Sequence, residues 1–470
     1  MAASESFPDL EDVFAGRVIR PGDDAYGTAR TVFNGMIDRK PAVIARCAGV
    51  ADVRAALAFA REQGLAVAVR GGGHGVAGNA VCDGGLVIDL SAMKGIRVDP
   101  VRRSAQAQGG VTWGELDRET QAFGLAVTGG RVSTTGIAGL TLGGGSGWLE
   151  RKLGLACDNL LSADVVTADG RFLVVSATEH PDLFWGLRGG GGNFGIVTAF
   201  TYQLHPVGPV VYGGMVLHTM DRAEEVVRCY RDFMAAAPDE VGGAAAFVTA
   251  PPAPFVPAHL QGQPVVGLIL TYAGAAEDGE AALRPVRELG PPEVDLVGPI
   301  PYVALQQLLD PGAPPGLRNY WKSDTMSELS DAPIAVLVER LRPWLSPHTQ
   351  IVFAPFGGAV ARMDAQATAV GWRDAAWYFE VMSTWTDPAD DERQIAWTRA
   401  LADALRPWTR DASYLNTISD EGLDQVQASY GPERYARLVA LKNAYDPDNV
   451  FRLNQNIPPT PGYHATGIVS

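Results

Sequence analysis

The feature that most restricts how this chain can fold is a run of four glycines around one histidine, Arg70-Gly71-Gly72-Gly73-His74-Gly75, at the end of the apolar stretch 65–69. Glycine lets the backbone turn sharply and approach a ligand closely, and several amides facing one concavity receive an anionic oxygen. Such a loop after a strand suits a phosphate. The imidazole is the element to explain, because neither a dinucleotide fingerprint nor a Walker loop uses one there.

Two more clusters follow, Gly143-Gly144-Gly145-Ser146-Gly147 and Gly189-Gly190-Gly191-Gly192-Asn193-Phe194-Gly195. A lone glycine run is most often a surface turn. Three of them suit a long ligand that needs several close backbone approaches. A dinucleotide fold fits poorly, because its glycine turn leads into a helix, and none is evident between Asn79 and Gly85. Periodicity predicts a helix over 53–60 stopped by Gly64, and strands over 65–69 and 86–90. Thr112 and Glu115 form a capping box opening a short helix that ends at Gly124. A hairpin around Asp169-Gly170, a helix over 182–188 and a strand over 196–204 complete this part.

With 470 residues the chain can bury large cores and form two or three structural units. Its net charge of -15 argues against nucleic-acid partners, anionic membrane surfaces and polyanionic substrates. Cys47, Cys82, Cys157 and Cys229 lie far apart, with no Cys-x-x-Cys pair and no histidine at metal-ligand spacing, so neither disulfides nor a metal site are expected. The acidic N-terminus lacks the order of a signal peptide and no apolar run reaches spanning length; a cytoplasmic location is the expectation. After Pro206 the composition shifts toward proline-rich segments with long apolar strands such as 265–272, alternating with helices such as 281–289. The final stretch carries a helix over 432–444 and a polar tail around Asn454-Gln455-Asn456.

Four motifs now converge: RGGGHG at 70–75, GLTLGGGSGWLERKLGLACDN at 139–159, LFWGLRGGGGNFGIVT at 183–198, and YDPDNVFRLNQNI at 445–457. In that order they resemble the berberine-bridge-enzyme-like branch of the vanillyl-alcohol-oxidase flavoprotein superfamily. The resemblance implies an α+β protein with a PCMH-type FAD-binding domain of two α+β subdomains over 1–207. A substrate domain over 208–405, an antiparallel sheet flanked by helices, and a segment over 406–470 returning to the FAD domain would follow. It implies FAD bonded through its 8α carbon to His74 and cradled by Arg70, Gly71, Gly72, Gly73 and Gly75. Thr134, Thr135, Gly136, Gly139, Gly143, Gly147, Asn159, Gly195, Ile196, Val197, Asn454 and Asn456 fall at the other cofactor-binding positions. The remaining histidines, His180, His205, His218, His259, His348 and His464, have no comparable setting.

The chain departs from the family pattern at two places. Many members attach the flavin a second time through a cysteine, which here is Val132; the linkage implied is monocovalent, and a carbohydrate substrate becomes less expected. Cys157 lies too far along and reads as a small buried side chain. Three residues after Val132 comes Thr135, at the position where relatives place a side chain over the flavin's reactive edge; the resemblance implies that its modest size admits dioxygen. The second departure is Thr417 in Tyr414-Leu415-Asn416-Thr417, where relatives often carry a tyrosine base; a threonine hydroxyl is far too weak an acid for that role.

The segment 377–385 reads as a strand with Tyr378, Glu380 and Met382 on one face. A carboxylate in so apolar a strand is informative, and Glu380 also matches the family position of the catalytic base. Tyr414 and Asn416, alternating onto one face, are candidates to orient substrate by hydrogen bonds. The expected function is a hydride transfer from a small, largely apolar substrate to flavin N5, with Glu380 taking a proton and dioxygen giving hydrogen peroxide. Such a substrate would be an alkaloid, a polyketide or an aromatic alcohol or amine, with oxidative cyclisation as a special case. Alternatives are a carbohydrate oxidase, a flavin dehydrogenase using another acceptor, or a flavin-binding protein without turnover.

Overall fold

A computed structural model describes residues 8–462. The helix Val50–Glu62 runs longer than periodicity predicts, while the strand Val67–Arg70 begins two residues later and ends one residue later than expected. The strand extends because Arg70 still pairs with Asp89 in a parallel ladder. The capping box at Thr112 opens the helix Trp113–Gln121, and the chain then turns at Gly124 with φ of 63°.

Three large sheets organise the molecule, beside a small two-stranded one of Leu125–Ala126 and His205–Pro206. A four-stranded sheet runs in the order Arg17–Ile19, Val43–Arg46, Leu86–Asp89, Val67–Arg70, its last three strands parallel. A five-stranded antiparallel sheet contains Ile96–Asp99, Ser104–Gln108, Ile196–Gln203, Leu160–Val166 and Phe172–Ser176. The third, with eight strands, is antiparallel throughout and built around Val210–Thr219, Pro264–Tyr272, Val241–Thr249, Gln350–Pro355, Trp377–Trp385 and Arg318–Met326. This is the α+β architecture implied by the motifs.

Strand alternation gives the large sheet two different faces. Ala245, Phe247, Leu268, Ile351, Phe353 and Val381 pack with the helical residues Val227, Tyr230, Ile334, Leu337 and Leu401 in one apolar core. The intervening residues turn toward the other two sheets, which form the first body of the molecule. There Tyr378 and Tyr414 join Trp148, Leu155 and Ile269 in a second core that seals the two bodies together. Arg151 crosses the junction, donating from Nε to the Val241 carbonyl at 3.0 Å and from Nη1 to the Phe356 carbonyl at 2.8 Å. The C-terminal helix Pro432–Tyr445 returns to the first body, where Leu438 and Leu441 share a core with Phe194 and Phe200. No helix among the described residues is long and apolar enough to cross a membrane.

The glycine loop is fastened at its base by a buried ion pair. Arg70 Nη2 lies 2.6 Å from Asp89 Oδ2, Arg46 Nε shares the same oxygen at 3.0 Å, and the Ser91 amide donates to Asp89 Oδ1 at 3.0 Å. These donors hold the Asp89 carboxyl below its usual range despite the cost of burial. Asp89→Ala would leave Arg70 charged and buried without its carboxylate, and a destabilisation of about 3–5 kcal/mol is expected in denaturant unfolding. A loss under about 1 kcal/mol, the range of exposed pairs, would show that the pair does not anchor the loop.

Candidate active site

From the end of that ion pair the chain enters the turn 71–75. Gly73 has φ of 68°, a left-handed conformation that costs other residues but not glycine. Gly72 packs so closely on a second glycine that a Cβ there would fall 2.4 Å from the Gly136 nitrogen. This contact brings the turn against residues 132–136 and the short helix Ile137–Leu142. Among the described residues, none of the amides of Gly71, Gly72, Gly73, His74 or Gly75 donates to an oxygen of the chain. Five amides left without acceptors in one turn suit an anionic ligand.

His74 sits at the end of the turn with its ring stacked on Phe33, centroids 3.9 Å apart and planes at 18°. Its Nε2 lies 3.4 Å from Thr134 Oγ1. Burial pushes the imidazole pKa down to about 4, outweighing the upward pull of a backbone hydrogen bond and the Asp310 charge. The ring is therefore neutral near pH 7 and its orientation is set by an aromatic face. Phe33 also reaches edge-on to Trp321, at 6.1 Å and 71°. The neighbouring Asn34 joins the bodies by donating to the carbonyls of Val76 and Asn319 and accepting from the Asn319 amide. Neither Phe33 nor Asn34 stood out in the sequence, because no local pattern marks a residue whose partner is nearly 300 positions away.

The turn opens onto a cavity of about 440 Å³ between the two bodies. All three glycine clusters reach it. Gly71, Gly72, Gly73, His74 and Gly75 line one part; Thr135, Gly136, Gly139 and Gly143 a second; and Gly195, Ile196, Val197 and Asn454 a third. At Gly75, Gly139 and Gly192 a Cβ would meet nothing within 4 Å, so the backbone there faces open space. Asn454 adds a buried Oδ1 that has no partner in the protein. A long ligand with phosphates at its middle fits this set of bare amides, open backbone and unpaired amide oxygen.

Five residues expected at the cofactor take other places. The Arg70 guanidinium is committed to Asp89 and the carbonyls of Ala29 and Thr31, so it secures the loop from behind. Asn159 donates to the carbonyls of Leu153 and Leu155 and meets His205 Nε2 at 2.6 Å, which turns it inward to brace its own loop. Gly147 is needed for packing, since a Cβ would fall 1.8 Å from the Gly129 carbonyl oxygen. Asn456 borders an adjoining, more polar hollow with Arg39 and Arg452, which shares Asn79 and Asn454 with the cavity. Thr134 meets His74 without lining the cavity wall.

The opposite wall is the inward face of the large sheet. Ala244, Ala246, Val248, Ile269, Val352 and Met382 make it apolar. Glu380 interrupts it. Its strand pairs with both neighbours, Glu380 standing opposite Ser323 and Val352. The side chain is 4% exposed; the Tyr378 hydroxyl donates to Oε2, while Oε1 is buried with no partner in the protein. Burial raises its pKa from the ordinary 4.5 to about 7, tempered by the Tyr378 hydrogen bond and the Arg131 charge. Arg131, whose role the sequence did not reveal, lines the cavity, pairs with Glu150 at 2.9 Å and lies 4.8 Å above the Trp148 ring.

Tyr414 and Asn416 do converge, but through the 3-10 turn Leu415–Thr417 rather than strand alternation. The Tyr414 oxygen accepts from the Gly145 amide at 3.1 Å, the Ser146 amide at 3.0 Å and Asn416 Nδ2 at 3.0 Å, and burial lifts its pKa to about 12. It thus fastens the second glycine cluster. Thr417 Oγ1 lies 2.8 Å from Ser323 Oγ and 2.9 Å from the Tyr414 carbonyl oxygen, a structural placement.

Comparison with known proteins agrees with this geometry. Residues 41–176 match the family described as FAD binding domain, and residues 413–458 the family described as berberine and berberine like. (R)-6-hydroxynicotine oxidase of Paenarthrobacter nicotinovorans is 31% identical over 460 residues, covering 94% of this chain and 97% of the relative. The uncharacterized FAD-linked oxidoreductase YgaK of Bacillus subtilis (strain 168) is 31% identical over 451 residues, covering 94% and 97%. Among solved structures, 6-hydroxy-D-nicotine oxidase from Arthrobacter nicotinovorans superposes with a TM-score of 0.87 at 28% identity, covering 97% of this chain and all of that one. With the bare glycine turn, the two-bodied cavity and end-to-end similarity in hand, the chain belongs to the berberine-bridge-enzyme-like family of FAD-linked oxidoreductases.

Proposed function

We propose that this enzyme is an oxidase of a small, largely apolar molecule, such as an alkaloid, a polyketide or an aromatic alcohol or amine, with FAD attached through His74 alone. When bound, the flavin supplies a two-electron acceptor for the substrate C–H bond and passes those electrons to dioxygen, giving hydrogen peroxide. The observation that carries the reading is Glu380, a carboxylate on the wall of an apolar cavity, with one oxygen held by Tyr378 and the other unpaired.

A base works best when its pKa lies near the working pH, and burial holds Glu380 at about 7. Its role is to accept the proton of the O–H or N–H next to the oxidised carbon. The Tyr378 hydroxyl fixes the carboxylate plane, and Arg131 nearby favours the ionised form. The wall around Glu380 offers alkyl groups where a sugar would need hydrogen-bond partners. A relative named for oxidation of 6-hydroxynicotine is in keeping with a compact, ring-containing substrate. For the linkage, His74 provides a neutral imidazole held in plane by Phe33, and Val132 offers no thiol for a second bond.

Three outcomes test the reading. In His74→Ala, any bound flavin should be released into the supernatant by acid precipitation, whereas the unaltered protein should keep its colour in the pellet; colour retained by the variant would refute the linkage. Under nitrogen, a screen of alcohols, amines, phenols and sugars should find an apolar substrate that bleaches the flavin. Glu380→Gln should slow that bleaching about a hundred to ten-thousandfold, and an unchanged rate would remove Glu380 from the chemistry. The third concerns stability. Because folding raises the Glu380 pKa from 4.5 to about 7, its protonated form stabilises the fold, fully below the ordinary value and progressively less as pH rises through about 7. Between about pH 4.5 and about pH 8 the unaltered protein should therefore lose on the order of 3 kcal/mol relative to Glu380→Gln; parallel pH profiles would contradict the burial argument.

A further inference from the structure

The turn bearing Thr134 and Thr135 is gripped from the far body. The Ser133 amide donates to Asp310 Oδ1 at 2.8 Å, and the Ser133 hydroxyl donates to Asp310 Oδ2 at 2.5 Å, across 177 positions of sequence. Asp310 opens the 3-10 turn Asp310–Gly312, and its neighbours Leu309, Gly312, Ala313 and Pro314 line the cavity. The end of that strap is tied to the large sheet, where Gln350 Nε2 donates to the Gly312 carbonyl at 3.0 Å.

On its own side the turn is held through its carbonyls. The Gly114 amide donates to the Ser133 oxygen and the Trp113 amide to the Thr135 oxygen, both at 2.9 Å. The donors of Ser133 are satisfied by Asp310. One residue on, Thr134 meets His74, and the next, Thr135, stands at the cavity wall. The Asp310 charge is also close enough to act on the His74 ring.

We propose that Asp310 is a positioning residue: by taking both donors of Ser133 it fixes the turn that sets Thr134 against His74 and Thr135 toward the flavin. The inference rests on the reading of His74 and Thr135 as flavin neighbours. A carboxylate suits the task because each donor meets its own oxygen in a charge-assisted bond; an asparagine in the same outline accepts through one oxygen only. The strap thereby registers the substrate body against the flavin-facing turn, an arrangement that neither body achieves alone.

The test uses the flavin-loaded protein and needs no substrate. Ser133→Ala, Asp310→Asn, Asp310→Ala and Ser133→Ala/Asp310→Ala are compared by visible absorption spectrum, acid-stable flavin fraction, thermal unfolding, and the rate at which air restores colour after chemical reduction. Asp310→Ala should fold cooperatively yet change the recolouring rate about tenfold or more, with an altered spectrum and less acid-stable flavin. Ser133→Ala and Asp310→Asn should fall between, and the double variant should match Asp310→Ala, because both residues act through one contact. Unchanged spectrum and recolouring in Asp310→Ala, or additive effects in the double variant, would overturn the proposal. Should Asp310→Ala not fold, Ser133→Ala and Asp310→Asn decide by the same readings. If acid extracts all flavin from the unaltered protein, the His74 linkage fails, while spectrum and recolouring still judge Asp310.

Discussion

Gly72 and Gly136 touch backbone to backbone, with no room for a single methyl group between them. That contact brings together segments separated by more than sixty residues of sequence and decides what becomes neighbour to what. On one side it fixes the turn whose amides lack acceptors and whose last ring is His74. On the other it fixes Ser133, Thr134 and Thr135 and the start of the helix Ile137–Leu142. The Arg70–Asp89 pair holds the turn from behind, and Tyr414 ties the next glycine cluster to the C-terminal part of the chain. The turn of bare amides and the half-buried, uncharged imidazole are therefore kept in place by contacts within the protein at and behind the cavity wall.

Much of this was legible in the sequence because it depends on local chemistry. Glycine clusters, the Thr112 capping box and the alternation of 377–385 each arise from residues close together in the chain, and periodicity or turn chemistry reports them. Strand alternation put Tyr378, Glu380 and Met382 on one face, and the structure turns that face toward the cavity. What escaped notice was contributed by distant partners. Phe33 acquires its importance from a ring stacked across forty residues, Arg131 from Glu150, Trp148 and the carboxylate on a strand of the other body.

Two residues of the motifs brace the loops and do not face the cavity. Arg70 and Asn159 belong to motifs, and motif membership does not tell whether a polar side chain faces a ligand or braces the loop that does. Burial decides that. A guanidinium beside a buried carboxylate and an amide between two loop carbonyls find their hydrogen bonds within the protein. Tyr414 and Asn416 met for a different reason than expected, since a tight 3-10 turn can bring two polar groups onto one side as well as a strand can.

The two faces of the large sheet carry a further consequence. Residues that hold its helices, such as Phe247, Leu268 and Phe353, alternate with those that shape the cavity, such as Ala246, Ile269 and Val352. The helical core and the cavity wall are thus encoded on interleaved sets of positions along the same strands. Exchanges confined to the cavity set reshape what the wall will accept while leaving the helical core intact, so this scaffold can change its chemistry one alternate residue at a time without refolding the sheet that supports it.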